Sequence, residues 1–178
     1  MLQAQVPALG ITSHALNDVV VGRASAGKPV YMDISIDRSR LALYRCDAVI
    51  VASATGSTAY SLSAGGPILH PESREMLLTP VAPHLAAGRS LVLPSFAEID
   101  LVVDGEFGAV VSIDGQVDRP LARGDRISVC RSPHLARFVR MAGREDHYAT
   151  LGQQLDWLRA VDASKQTELF GLTEAETR

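Results

Sequence analysis

A mostly-β chain, folded as a β-sandwich of many short strands with a few short helices, is what the sequence predicts, and three observations carry that prediction. Short apolar runs recur along the chain. Several of them alternate apolar with polar residues, the two-residue period of a strand with one wet face. Turn signals rich in Gly, Pro, Asp and Ser separate the runs, as in a sandwich and unlike the longer alternation of strands with helices.

Each element follows from a local pattern. Val19 to Val21 reads as a strand preceded by the turn residue Asn17. Val30, Met32, Ile34 and Ile36 alternate with Tyr31, Asp33, Ser35 and Asp37, and after the polar break Asp37 to Ser39, Leu41 and Leu43 are expected to repeat the apolar side as the second arm of a hairpin. Asp47 to Ser53 encloses Ala48-Val49-Ile50-Val51-Ala52, apolar throughout, which predicts a central strand covered on both faces. Ile99, Leu101 and Val103 alternate up to Asp104-Gly105, while Val110, Val111 and Ile113 run up to Asp114-Gly115. Asp-Gly supplies the positive φ that tight hairpins need, so both pairs are expected at hairpin turns. Arg126 to Arg131 and Ala136 to Met141 are two further predicted strands, parted by Ser132-Pro133. A short helix is expected over Thr58 to Ala64, with Thr55 or Ser57 as its N-cap and Gly65-Gly66-Pro67 as its stop. Leu151, Leu155 and Leu158 share one face of a second helix that carries Trp157. The sandwich domain is expected over residues 1–160, followed by a polar tail, 161–178, whose apolar anchors are Leu169, Phe170 and Leu172.

Composition narrows the function classes. The chain has 178 residues, 47% of them apolar, enough for the core of one ordinary domain. Its formal charge is −3 and its 17 Lys and Arg form no dense basic run, so no nucleic-acid partner is expected. Cys46 and Cys130 lie far apart, neither metal-spaced nor disulfide-dense, and read as free thiols in a reducing cytosol. No run approaches the roughly 20 apolar residues of a membrane helix, and Met1 to Gly10 lacks a basic or long apolar start. The expectation is therefore a cytoplasmic protein without a membrane partner. His84, His134 and His147 read as structural or surface histidines, and no His and carboxylate spacing forms a metal cage.

The chemistry concentrates in Thr55-Gly56-Ser57-Thr58-Ala59-Tyr60-Ser61-Leu62-Ser63-Ala64-Gly65-Gly66-Pro67, directly after the apolar strand. A strand, a Gly-containing turn and a hydroxyl-rich helix start can aim amides and hydroxyls at one negative group. No Lys follows the glycines, so this is not a Walker A loop. Three readings stand on the residues alone: a nucleotide or phosphate site, a helix cap with a tightly packed corner, and a hydrolase. For the last, Ser61-Leu62-Ser63-Ala64-Gly65 approximates a nucleophile elbow with Ser61 where a Gly belongs, and His70 or His84 with Asp114 would complete the triad.

The run from Asp47 through Pro67, with the block 56–67 uninterrupted, resembles the signature block of the NAD kinase family. Other segments resemble further family motifs in the same order. Ala15-Leu16-Asn17-Asp18-Val19-Val20 is similar to the Asn-Glu motif, Leu78 to His84 with Arg89 to Pro94 to the next block, and Ser112-Ile113-Asp114-Gly115-Gln116 to a third. The likeness spans roughly Leu2 to Leu158. It implies a carboxy-terminal sandwich that binds NAD and contributes to phosphorylation of the adenosine 2′-hydroxyl to give NADP. The resemblance further implies an amino-terminal domain whose Gly-Gly-Asp-Gly motif holds ATP phosphates and carries the catalytic Asp. That motif is absent from these 178 residues, so no catalytic residue is assigned here and the isolated chain is expected to be inactive.

By the same resemblance, Asn17 and Asp18 would hydrogen-bond the adenosine, with Asp18 one methylene shorter than the family's usual Glu. Thr58, Ala59, Tyr60, Ser61 and Ser63 would line the dinucleotide pocket, and the Gln116 amide would touch NAD. Arg45 and Asp47 match positions near the nicotinamide ribose, the Asp often reaching in from a neighbouring subunit, which implies a homodimer or homotetramer. Here Cys46 and Ala48 flank Asp47 where many members have Gly, and Ala54 replaces the usual Pro. The phosphoryl donor would be ATP or polyphosphate, with Mg²⁺ riding on the donor. Alternatives of other classes are a non-catalytic nucleotide-binding or oligomerisation module, a lipid-kinase-like relative and a serine hydrolase.

Overall fold

The computed structural model describes residues 1–84, 88–139 and 151–152. Met1–Ala136 form one compact unit and Arg137–Arg178 fall in a second. Among the described residues the first unit holds twelve strands: β1 (Leu2–Val6), β2 (Ile11–Ala15), β3 (Asp18–Arg23), β4 (Val30–Ile36), β5 (Ser39–Cys46), β6 (Ala48–Ala52), β7 (Met76–Val81), β8 (Leu91–Leu93), β9 (Ile99–Val103), β10 (Ala109–Ile113), β11 (Val117–Leu121) and β12 (Arg126–Arg131). They pair antiparallel into two six-stranded sheets, ordered β2-β1-β12-β9-β4-β5 and β11-β10-β3-β6-β7-β8.

The core lies between the sheets. Leu2, Met32, Ile34, Leu101 and Ile127 of the first sheet meet Val19, Val21, Val49, Val51, Leu78 and Val111 of the second. Each such side chain is essentially excluded from water, and each contributes about 1.5–3 kcal/mol of transfer free energy. A smaller cluster of Ile50, Ala52 and Leu77, with Leu69 and Ala64 packed on it, covers the opposite face of the second sheet. Strand β6 is consequently buried at every residue, as its unbroken apolar run anticipates.

Three local expectations are revised. Ile36 pairs with Ser39, so the β4–β5 hairpin turns on Asp37 and Arg38, both at positive φ (50° and 66°). That register, with an irregularity between Ile34 and Ser35, sets Ala42 and Tyr44 opposite Ile34 and Met32. Directly opposed residues share a face, so Leu41 and Leu43 point outward and stay exposed. A period of two fits either face of β5, and only the pairing chooses. Asp114 and Gly115 do take positive φ (49° and 64°) between β10 and β11. Asp104-Gly105, by contrast, begins a crossing from β9 in one sheet to β10 in the other. Gly105 serves there by its smallness, since a Cβ would sit 3.2 Å from the Tyr31 ring. The third revision concerns the predicted strand 136–141: Ala136–Val139 join no sheet, and positions 140–141 lie outside the described residues. Of the helix around Leu151, Leu155 and Leu158, only Leu151 and Gly152 are described, both helical; the tail 161–178 lies outside. Among the described residues no helix is long and apolar enough to cross a membrane.

The register yields a stability contrast. Leu43→Thr, on the exposed face of β5, is expected to change unfolding free energy by no more than about 0.5 kcal/mol. Ile127→Ala, in the core, is expected to cost about 2–5 kcal/mol. Urea titrations of the two variants check this, and comparable losses would place Leu43 in the core after all.

Candidate functional site

The corner after β6 folds as two separate turns rather than one helix. Thr55–Thr58 form a 3₁₀ turn and α1 (Tyr60–Ser63) a single α turn, with the backbone broken at Ala59 (φ −99°, ψ −129°). Neither turn has a side-chain cap. Ser57, expected as an N-cap, is instead buried, its hydroxyl donating to the Ala54 carbonyl at 2.7 Å and accepting from the Leu69 amide at 3.0 Å. It staples the corner to the loop that follows α1.

Facing this corner is the link between β2 of one sheet and β3 of the other. A two-residue crossover, Leu16-Asn17, leaves one ladder before it enters the next, so its polar backbone groups need partners from elsewhere. Asp114 and Ser53 supply them. The Asp114 carboxylate accepts from the amides of Leu16 (2.6 Å), Asn17 (2.8 Å) and Asp18 (3.0 Å), while its own amide donates to the Asp18 carbonyl at 3.0 Å. The Ser53 hydroxyl donates to the Leu16 carbonyl at 2.6 Å and its amide to the Asn17 carbonyl at 2.8 Å. The same Ser53 oxygen accepts from the Gly56 amide at 3.1 Å, tying the crossover to the 3₁₀ turn. Gly56 lies so close that a Cβ there would stand 2.0 Å from the Asn17 carbonyl oxygen. The glycine of the signature block is thus a contact requirement.

Between these parts opens a cleft of about 360 Å³, within the size range of small-ligand sites. Asn17, Asp18, Ala59 and Tyr60 line it together with Ser112 and Asp114. Tyr60 is 45% exposed at the cleft, and an aromatic so placed is accessible to stack on or pack against a ligand ring. Asp18 is buried, and among the described residues no hydrogen bond reaches its carboxylate. Burial pushes the Asp18 carboxyl above the usual carboxylate range, and the charge of Asp114 adds to the effect.

The remaining sequence-derived residues fall in different places. Thr58 and Ser63 are exposed on the two turns, the Thr58 hydroxyl donating to the Thr55 carbonyl at 3.2 Å. Ser61 is buried and shares a hydrogen bond of 2.9 Å with Thr79. Gln116 is exposed on the β10–β11 turn, next to Gly115 at the cleft. Arg45 and Asp47 are not at the cleft of the same chain. Asp18 pairs with Ala52 and Gly22 with Ala48, so Asp47 stands at the other end of β6, about 15 Å away by strand rise. There Asp47 pairs with Arg23 at 3.0 Å on the surface. Sequence reasoning gives neither Ser53 nor Ser112 a role of its own at the site. It assigns Asp114 to a hairpin turn and to the alternative triad, whereas the structure sets its carboxylate against the Leu16-Asn17 crossover.

Among the described residues the candidate triad of Asp114 with His84 is not assembled. Three amides occupy the Asp114 carboxylate, and the His84 amide donates to the Arg45 carbonyl at the far end of the sheet. The sheet is antiparallel, without the parallel strand and helix that an elbow requires. Among the described residues no three His, Cys, Asp or Glu converge on a metal position. Cys46 is a free thiol that burial pushes up to about 12, and therefore unreactive near neutrality.

Two outcomes follow from this geometry. A carboxyl raised on folding favours the folded state below the unfolded pKa, and this advantage is lost as pH rises through the folded one. Asp18→Asn is therefore expected to raise the melting temperature at pH 7, with the gain vanishing in acid below the ordinary carboxylate range; a gain constant with pH would exclude this cause. Ser61→Ala leaves the buried Thr79 hydroxyl without its partner and is expected to cost about 1–3 kcal/mol in a denaturant titration.

Residues 16–141 match the family model of the ATP-NAD kinase C-terminal domain. The chain is 41% identical over 161 residues to the NAD kinase of Bordetella pertussis, covering 88% of this chain and 54% of that protein. It is 43% identical over 145 residues to the NAD kinase of Koribacter versatilis, covering 80% and 50%. Among solved structures it is similar to a yeast NADH kinase complexed with NADH, with a TM-score of 0.71 at 30% identity, over 99% of this chain and 48% of that one. An NAD kinase from Archaeoglobus fulgidus in complex with ATP matches with a TM-score of 0.65 at 27% identity, over 75% and 51%. The chain spans about half the length of these relatives. With a match across most of its length and a two-sheet fold of the same kind, the chain belongs to the ATP-NAD kinase C-terminal domain family.

Proposed function

We propose that this chain is the dinucleotide-holding half of an NAD kinase, presenting the adenosine 2′-hydroxyl of NAD for phosphorylation to NADP. The observation that carries this reading is the cleft in which the Asn17-Asp18 crossover faces the Ala59-Tyr60 corner. Asn17 offers an amide donor and acceptor, Asp18 offers a carboxylate with no hydrogen bond of its own among the described residues, and Tyr60 offers an accessible ring. A nucleoside brings the complement: base-edge donors and acceptors, ribose hydroxyl donors and a flat ring. Ala59, where the backbone breaks, leaves room for close approach. The capture of NADH by the similar yeast kinase supports the ligand class.

In this reading Gln116 reaches NAD from the adjoining turn, while Thr58, Ser61 and Ser63 shape and border the corner. Arg45 and Asp47 serve the nicotinamide ribose of a neighbouring subunit's ligand, in a homodimer or homotetramer, because the strand length of β6 separates them from their own cleft. The 2′-oxygen attacks the terminal phosphorus of ATP or polyphosphate, its proton passes to the Asp of a Gly-Gly-Asp-Gly domain outside these residues, and the donor leaves shortened by one phosphoryl. In this reading Mg²⁺ rides on the donor phosphates. The work of this chain is positioning. The free thiols of Cys46 and Cys130 suit a reducing, cytoplasmic setting.

Titrating the 178-residue chain with NAD is expected to raise its melting temperature with the logarithm of ligand concentration above Kd, whereas Asn17→Ala weakens binding about tenfold, the loss of about 1.4 kcal/mol. Unshifted melting at millimolar NAD would overturn the reading. The same chain with NAD, ATP and Mg²⁺ is expected to form no NADP until a protein carrying the Gly-Gly-Asp-Gly domain is supplied.

A further inference from the structure

Of the two carboxylates at the cleft, Asp18 has no hydrogen bond among the described residues, whereas Asp114 has three, all to backbone amides. The dinucleotide reading leaves Asp114 without a task. We propose that Asp114 is the positioning residue of the ligand site, acting on the dinucleotide only through Asn17 and Asp18, whose backbone it holds; this rests on the reading given under Proposed function.

The argument is one of complete backbone satisfaction. From the Leu16 amide to the Asp18 carbonyl, each donor and acceptor has a partner, and two residues provide them: Asp114 takes the three amides and gives one, Ser53 takes the two carbonyls. Three successive amides aimed at one anion form a concave nest, and their convergence sets the direction of the Asn17 and Asp18 side chains. A carboxylate suits this position because its two oxygens accept several charge-assisted bonds at once. An amide of the same shape would turn an NH₂ group toward at least one N–H donor. The hairpin conformation accounts for the backbone of Asp114, which shares positive φ with Gly115 (49° and 64°), but not for its carboxylate, which is directed to a strand link 96 to 98 residues away in sequence. Three of its roughly four acceptor sites are committed to the crossover, so Asp114 borders the cleft with its carboxylate turned mainly to the backbone.

The test is a double-mutant cycle on NAD affinity measured by calorimetry, combined with amide hydrogen exchange. In Asp114→Asn, exchange at Leu16, Asn17 and Asp18 is expected to quicken about tenfold or more, and the Kd for NAD to rise about tenfold. If Asp114 works through the crossover, Asp114→Asn combined with Asn17→Ala weakens binding by less than the product of the two single losses, the Asp18 side chain remaining as its second route. Asp114→Glu keeps the charge and displaces the oxygens, and is expected to show a smaller loss with the same non-additivity, a reading that survives if Asp114→Asn does not fold. Parent-like affinity in these variants despite faster exchange, or losses that multiply with Asn17→Ala, would overturn the positioning role while leaving the dinucleotide reading intact. Failure of the parent chain to bind NAD would remove both.

Discussion

The ladder between β3 and β6 is the constraint on which the rest of the molecule depends. Every residue of β6 is buried, with the sandwich core on one side and the cluster under α1 on the other. A slip of one residue against β3 would exchange Val49 and Val51 for Ile50 on the core side and misfit both faces at once. Held in this register, β6 ends at Ala52 opposite Asp18, and Ser53 arrives where it can take the carbonyls of Leu16 and Asn17. The placement of the candidate site is thus a consequence of packing some distance from it.

At the cleft, stability and binding pull in different directions. A buried carboxylate beside another carboxylate opposes folding at neutral pH, and nothing among the described residues offsets Asp18 by a hydrogen bond. An unspent acceptor at the wall of a cleft is also what a ligand hydroxyl needs. Asp114 pushes the balance further by its charge, yet the same group secures the backbone that carries Asp18. Local cost concentrated at one polar pocket, within a sandwich whose core is otherwise uniformly apolar, is the distribution expected of a functional site.

The signature block divides its labour along these lines. Gly56, Ser57 and Ser61 serve construction: close approach to Asn17, a staple to Leu69 and a buried bond to Thr79. Ala59 and Tyr60 alone of the block line the cleft. Residues so close in sequence act differently because two single turns joined at a backbone break point successive side chains inward, along the surface and into the opening.

By itself the sequence determined the fold class, most of the strands, the double burial of β6 and the family, because period, apolar runs and an unbroken motif are properties of neighbouring residues. It equally marked Asn17, Asp18, Ala59 and Tyr60. Tertiary structure alone decided which face of β5 turns inward, since a period of two is symmetric until a partner strand breaks the tie. It decided that Asp104-Gly105 crosses between sheets whereas Asp114-Gly115 turns a hairpin, for identical dipeptides carry no record of where the next strand pairs. It also revealed Asp114 as the partner of three amides nearly a hundred residues away, and Arg45 and Asp47 as distant from the cleft of their own chain. Such relations exist only once the chain has closed on itself, because hydrogen bonds across a crossover depend on distance in space and leave no local trace in the order of residues.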